Sequence, residues 1–363
     1  KVIDVREGAL GTDSVISIRR FNPDLTCSFN SLLPMSQNKF LWDFLETPHI
    51  AFLVDPAFYS SNLIISPYSI MSCVDRFDVQ VIKQSGFQNI FFWPHAVERE
   101  LSYDEKQERK YDVVFMGSCY DYESLRASWQ QRNPESINQV LDQAIEMVFS
   151  NDRLSLSEAL AQAWEASKYD PAGVDFLTLY YYLDNYTRGR DRVELIRSIK
   201  NARVHVFGEL STDNAVGVLS WQQYLASLPN VTIHPSLPFN EMLDVLKQSK
   251  ITLNSMPFFR DGSHERVVAG LACGAFPISS ESIYLREQFT DGKEIFFYQA
   301  KARQKASDMI DDLLSNEVKR KEGVVSGRQK VMQYHTWDVR ADQLLQTLPS
   351  IVSQIYAKTE NPN

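Results

Sequence analysis

The chain has 363 residues, 44% hydrophobic and 12% aromatic, with no low-complexity tract. It is long enough for two folded domains with sizeable cores. A formal net charge of −9 and an isoelectric point near 5.3 argue against a nucleic-acid or anionic-membrane binder, so any basic site must be local. Cys27, Cys73, Cys119 and Cys273 lie far apart without metal-ligand spacing. Three of them stand in apolar runs, which fits a reducing cytoplasm. No apolar run approaches the ~18 residues needed to cross a bilayer, and the opening residues show no signal-peptide pattern. The chain opens at Lys1 near a helix, and the expectation is that an N-terminal piece is missing.

Short apolar strands alternate with helical stretches, the pattern of an α/β protein with parallel sheets. Asp24–Phe29, Ile50–Val54, Val79–Lys83 and Asn89–Trp93 read as strands of a first Rossmann-like domain, expected over 1–108. The charged stretch Glu98–Lys110 reads as a hinge. A second series starts at Asp112–Met116, followed by Gly117-Ser118. It continues through Arg203–Phe207, Asn230–Ile233, Lys250–Leu253, Ala275–Ser279 and Glu294–Tyr298, a second Rossmann-like domain expected over 109–337. Glu241–Ser249 has the one-sided apolar spacing of a connecting helix. Residues 121–200 interrupt this series, with helical spacing in Ile137–Val148 and Leu156–Ala166 and a tyrosine-rich run at Leu177–Tyr186. They read as a helical insertion, either an extra packed layer or an acceptor-binding or oligomerising element. A last helix, Asp338–Tyr356, carries an apolar face of Leu344, Leu345, Leu348 and Ile351, ahead of a frayed Asn361-Pro362-Asn363 tail.

The densest chemical signal is residues 254–277. A polar loop bearing Arg260, Gly262, Ser263, His264 and Arg266 opens a small-residue helix that Gly274 ends. Amides at a helix start and nearby guanidinium groups suit a phosphate. Gly117, Ser118, Gly208, His234 and Asn254 also stand at expected strand ends, where an α/β sheet binds ligands. Their convergence points to a nucleotide-diphosphate site, with ordinary structural turns as the other reading. No Gly-x-Gly-x-x-Gly follows a strand, and no phosphate-loop Gly-Lys-Ser/Thr, zinc-protease His spacing or Gly-x-Ser-x-Gly elbow is present. An Asp-x-Asp metal site is missing too, so no metal and no cofactor is expected. Asp55, at a strand end, is a candidate general base or a turn former before Pro56. His95 is a candidate base, a diphosphate contact or a structural histidine.

The order Leu253-Asn254, Gly262-Ser263-His264-x-Arg266, Leu271-Ala272-Cys273-Gly274 resembles the spore-maturation-protein type of glycosyltransferase, within the family-1/family-4-like GT-B superfamily. Phe115-Met116-Gly117-Ser118, Phe207-Gly208, His335-Thr336-Trp337-Asp338-x-Arg340, Asn22-Pro23-Asp24-Leu25 and Leu53-Val54-Asp55-Pro56 are similar in order. The resemblance implies two Rossmann-like domains facing a cleft, a nucleotide-sugar donor held by the second, and an acceptor held mainly by the first. It further implies that residues 338–363 cross back to the first domain. A metal-independent enzyme is expected, moving sugar from a nucleotide sugar (UDP-sugar favoured) to a hydroxyl of a glycan, protein or small molecule. Arg266 and the Gly262–His264 amides would face the diphosphate, Gly117, Ser118 and Gly208 would line the pocket, and Asn254 would support its wall. Related enzymes commonly carry a ribose-binding Glu where this chain has Ala269, leaving Glu265 or Glu281 as substitutes. That departure keeps a second reading open, a catalytically degenerate nucleotide- or sugar-binding or protein-interaction module.

Overall fold

A computed structural model describes residues 2, 11–30, 32–167, 174–209 and 220–360. The Asn361-Pro362-Asn363 tail lies outside the described residues. The chain divides into two units, Lys1–Trp93 with Gln343–Asn363, and Pro94–Asp342.

In the first unit, helix α1 (Thr12–Phe21) precedes strand β1 (Thr26–Phe29), then α2 (Leu41–Leu45) and β2 (His49–Phe52). A 3-10 segment (Ala57–Ile65), β3 (Ser69–Cys73), α3 (Arg76–Gln84) and β4 (Ile90–Phe92) follow. The four strands pair in parallel in the order β1-β2-β3-β4. Alternate side chains serve opposite faces. Ala51 and Met71 join the cluster around Trp42, Leu53 and Ile82, whereas Ile50 and Ile70 pack against Ile351 and Ile355 near the end of the chain.

The expected strand Val79–Lys83 is instead part of helix α3. Asp75 accepts hydrogen bonds from the amides of Phe77 and Asp78, and Ile82 turns into the core. A short β-branched run between turn signals fits either structure by periodicity alone, and here the N-cap decides. The strand at that place in the sheet is β3, all five of whose residues are buried.

The second unit opens with β5 (Tyr111–Met116) and four helices, α4 (Tyr122–Arg132), α5 (Glu135–Ser150), α6 (Leu156–Ser167) and α7 (Phe176–Ser198). Then come β6 (Val204–Glu209), α8 (Trp221–Leu225), β7 (Val231–Pro235), α9 (Phe239–Lys247) and β8 (Ser249–Asn254). The series ends with α10 (Glu265–Cys273), β9 (Phe276–Ser280), α11 (Ile283–Gln288), β10 (Phe296–Tyr298), α12 (Lys305–Ser315) and α13 (Glu317–Tyr334). The strand order is β10-β9-β8-β5-β6-β7, every pair parallel. The chain therefore builds outward from β5 to β7, returns to β8 on the other side of β5, and builds outward again. A parallel sheet of this kind binds ligands where that direction reverses, beyond the carboxyl ends of β5 and β8.

The boundary between units falls between Trp93 and Pro94, where the sequence suggested 108/109. Residues 94–109 are tied into the second unit by backbone bonds of Val97 to His335 and Trp337, both 2.9 Å. Arg109 adds a bond from Nη1 to the Cys273 carbonyl, 2.9 Å. Helix α14 (Trp337–Glu360) starts in the second unit and ends in the first. No helix among the described residues is long and apolar enough to cross a membrane.

Candidate functional site

The ends of β5 and β6 are brought close by glycine. Gly208, with φ +147°, lies against Gly117 so tightly that a Cβ would sit 2.1 Å from the Gly117 carbonyl oxygen. Trp221 Nε1 donates to that same oxygen at 3.0 Å. Beyond β8, Arg266 in the first turn of α10 reaches back, and its Nη1 donates to Asn254 Oδ1 at 2.8 Å. Asn254 is itself fixed by a 2.9 Å bond from Nδ2 to Ser279 Oγ at the end of β9.

The second holder of Arg266 is His264, whose Nε2 lies 3.0 Å from Arg266 Nη2. A guanidinium can only donate, so Nε2 is the acceptor and the ring proton belongs on Nδ1, 3.0 Å from Glu265 Oε2. Burial, and then the Arg266 charge, lower the His264 pKa to about 3, so the ring is neutral near pH 7. Burial raises the Glu265 pKa, but His264, His95 and Arg266 outweigh it and hold the carboxyl well below its usual range. Arg266 is 6% exposed, and its bonded partners are an amide oxygen and a neutral imidazole. Burial and then the neighbouring Arg192 depress its pKa to about 9. The group remains a cation at neutral pH, buried without a carboxylate hydrogen-bonded to it.

His95 closes the turn from the other side. Its backbone N–H donates to Ser263 Oγ and its Nδ1 to the Ser263 carbonyl, both 2.9 Å. Its ring stacks 5.6 Å from that of His264, and burial lowers its pKa. The Gly262 carbonyl accepts from Ser282 Oγ at 2.7 Å. Thus the Gly262–His264 turn is fastened along its length, and Asn254, Gly262, Ser263, His264, Arg266 and His95 form one connected group.

Besides Gly117, Ser118 and Gly208 at the ends of β5 and β6, three expected site residues lie outside that group. Arg260 is 2% exposed. It donates to the Val148 carbonyl at 2.9 Å and faces Asp152 at 3.5 Å, anchoring its loop to α5 and the turn after it. His234, on the edge strand β7, stacks on Phe207 with centroids 4.3 Å apart and bonds His205 at 3.0 Å. Asp55 is an exposed residue of the first unit. Neither carboxylate considered as a ribose holder is idle, since Glu281 pairs with Arg286 and Glu265 with His264. Ala269 is buried.

Sequence reading placed α7 in the helical insertion but missed the arginine it brings to the site. Its Arg192 Nη1 donates to the Ser118 carbonyl at 2.8 Å, so this helix grips the end of β5 as Arg266 grips the end of β8. The helix is pinned by Asp191, which accepts from Ser255 and Tyr298 at 2.6 Å and from Arg303 at 2.8 Å. Arg188, one turn earlier, pairs with Asp184 at 2.6 Å and lies over the Phe258 ring at 3.6 Å. The run Arg188-Gly189-Arg190-Asp191-Arg192 was readable as a same-face arginine pair, and Gly189 as the mark of close packing. A Cβ there would meet the Tyr120 carbonyl at 2.8 Å.

Residues 190–346 match the family model described as glycosyl transferase-like, less than half of the chain. Among solved structures, Anabaena HepE in complex with UDP-glucose is similar over 93% of this chain and 82% of its own, at 9% identity and a TM-score of 0.54. The chain is GT-B in fold. Sucrose-phosphate synthase of Thermosynechococcus elongatus aligns over 93% of this GT-B chain and 76% of its own, at 10% identity and a TM-score of 0.55. A glycosyltransferase from Rickettsia africae aligns over 98% and 84%, at 10% identity and 0.52. No curated protein matches the sequence. The GT-B glycosyltransferase resemblance read from the motifs is thus the fold observed, and the glycosyl transferase-like region holds both Arg192 and Arg266. The narrower likeness to the spore-maturation type rests on the sequence motifs.

Proposed function

We propose that the protein transfers a sugar from a nucleotide-sugar donor, a UDP-sugar by preference, to a hydroxyl-bearing acceptor without a metal ion. The reading rests on Arg266. A buried guanidinium hydrogen-bonded only to neutral acceptors, at the reversal point of a parallel sheet, suits an anion. In transfer, the bond from the sugar's anomeric carbon to the diphosphate breaks, and its electron pair goes to the phosphate oxygen. Arg266 and the turn at Gly262–His264 would stabilise that developing charge. The acceptor oxygen bonds the anomeric carbon and gives up its proton, with Asp55 or His95 as the candidate base. Nucleotide-sugar binding by HepE and the glycosyl transferase-like match support the reading.

The test is a panel of UDP-, GDP-, ADP- and dTDP-sugars, with and without EDTA, scored for nucleoside diphosphate release and acceptor glycosylation. Release that persists in EDTA and is lost in Arg266→Ala is the expected result. A folded protein that turns over no donor overturns it. Ala269, with Glu265 and Glu281 both engaged elsewhere, favours one second reading, a degenerate module. That protein would bind a nucleotide, visible as a thermal shift, without hydrolysis or transfer.

A further inference from the structure

Arg192 is the largest unexplained charge in the second unit. It is 3% exposed, and its one hydrogen bond among the described residues is that from Nη1 to the Ser118 carbonyl. Its Nε is buried and has no partner. The carboxylates nearby are committed, Asp184 to Arg188 and Asp191 to Arg303, Ser255 and Tyr298. Burying an ion costs several kcal/mol even after relaxation. The Tyr120 and Phe115 rings, 4.9 and 5.9 Å from the guanidinium carbon, offset part of that cost. A single backbone bond does not cover the difference. A carbonyl staple would need no permanent cation beside two others.

The position of the group supplies the reason. The Phe115 ring, on β5, has Arg192 at 5.9 Å and Arg266 at 5.7 Å from its centroid. Each guanidinium is bonded to the end of one strand at the reversal point, Arg192 to Ser118 beyond β5 and Arg266 to Asn254 at the end of β8. Two like charges held beside one ring repel unless an anion stands between them, and Arg192 does lower the pKa of Arg266. Asp191, bonded to Ser255, Tyr298 and Arg303, pins the helix turn that presents Arg192.

We propose that Arg192 on α7 is the second guanidinium of the donor pyrophosphate site, so that the helix read from sequence as part of an accessory insertion forms one wall of the nucleotide pocket. This rests on the nucleotide-sugar reading above, and the experiment separates the two. UDP, GDP, ADP and dTDP are ranked on the full chain by thermal shift. The best diphosphate and its monophosphate are then titrated calorimetrically into wild type, Arg192→Gln, Arg192→Lys, Arg266→Gln and Arg190→Gln. Arg190 is a control, since it pairs with Glu194 and lies over Phe149.

Arg192→Gln should weaken the diphosphate about tenfold or more and the monophosphate less than about threefold. Arg192→Lys, which keeps charge and bulk without the fork, should fall between, and Arg190→Gln should match wild type. Should Arg192→Gln fail to fold by circular dichroism, the Lys variant carries the comparison, with a loss of about threefold or more expected for the diphosphate. Unchanged diphosphate affinity in folded Arg192 variants, with affinity lost in Arg266→Gln, overturns the role of α7 and leaves the donor reading standing. No diphosphate binding by wild type overturns both.

Discussion

Gly208 and Gly117 touch through their backbones, and a methyl group on the first would lie 2.1 Å from the carbonyl oxygen of the second. The φ of +147° at Gly208 adds a conformational penalty for any other residue. Gly208→Ala should therefore destabilise the second unit by about 2 kcal/mol or more in urea unfolding. Gly117→Ala meets first a ring atom of the buried Phe115 at 3.3 Å and takes a φ of +159°, and should cost about 1 kcal/mol or more. Equal stability of Gly208→Ala and wild type would refute the close approach of the two strand ends.

Arg266→Ala should lower kcat/KM for the best donor by about tenfold or more, a loss of about 1.4 kcal/mol of transition-state stabilisation. Arg266→Lys keeps a charge but cannot reach Asn254 and His264 together, so it should recover only part of the loss. Steady-state kinetics on folded variants decide this, and unchanged turnover removes Arg266 from the mechanism.

For Arg260 the opposite pattern is expected. Its bonds to Val148 and Asp152 are internal anchors, and breaking a buried ion pair costs about 3 kcal/mol. Arg260→Gln should lower the unfolding midpoint clearly while leaving diphosphate affinity within about threefold of wild type. Lost affinity at preserved stability would return Arg260 to the donor site.

Three buried histidines predict an acid-sensitive fold. Burial lowers the pKa of His49 to about 3, while burial and Arg340 lower that of His335 to about 4, and His264 stands at about 3. The unfolded chain titrates these groups near 6.5. As pH falls below 6.5 the unfolded chain takes up protons first, so stability declines toward pH 4 and is fully present above 6.5. Urea midpoints should drop between pH 7 and pH 5. The drop should shrink in His49→Gln, whose ring is stacked on Trp42 and bonded to Thr26 and Ser28 in the first unit. Midpoints unaffected by pH over that interval would contradict the neutral assignments.

Much of the fold was legible because apolar runs bounded by Gly, Pro and Asp mark strands whatever surrounds them. The strands from β5 to β10 lie within a few residues of their expected places. The errors have local causes. Val79 and Val81 suggested a strand, yet Asp75 captured the first free amides and nucleated a helix. Ser69 and Ser72 disguised β3, whose burial on both faces comes from neighbours distant in sequence.

In the site, the Arg266 turn was visible as a contiguous motif, while Arg192 was not. It reaches the site only through α7, which four tyrosines between Leu177 and Tyr186 made look like an independent layer. Arg260 shows the converse. It is adjacent in sequence to the motif, and its side chain is drawn away by Asp152, which no spacing rule reveals.

Because α14 delivers Ile351 and Ile355 to the face of the first sheet that bears Ile50 and Ile70, this unit is not finished when its strands leave the ribosome. During synthesis its greasy underside stays uncovered while the whole second unit is made. A nascent chain stalled ahead of Gln343 should engage chaperones, and translation past that point should release it.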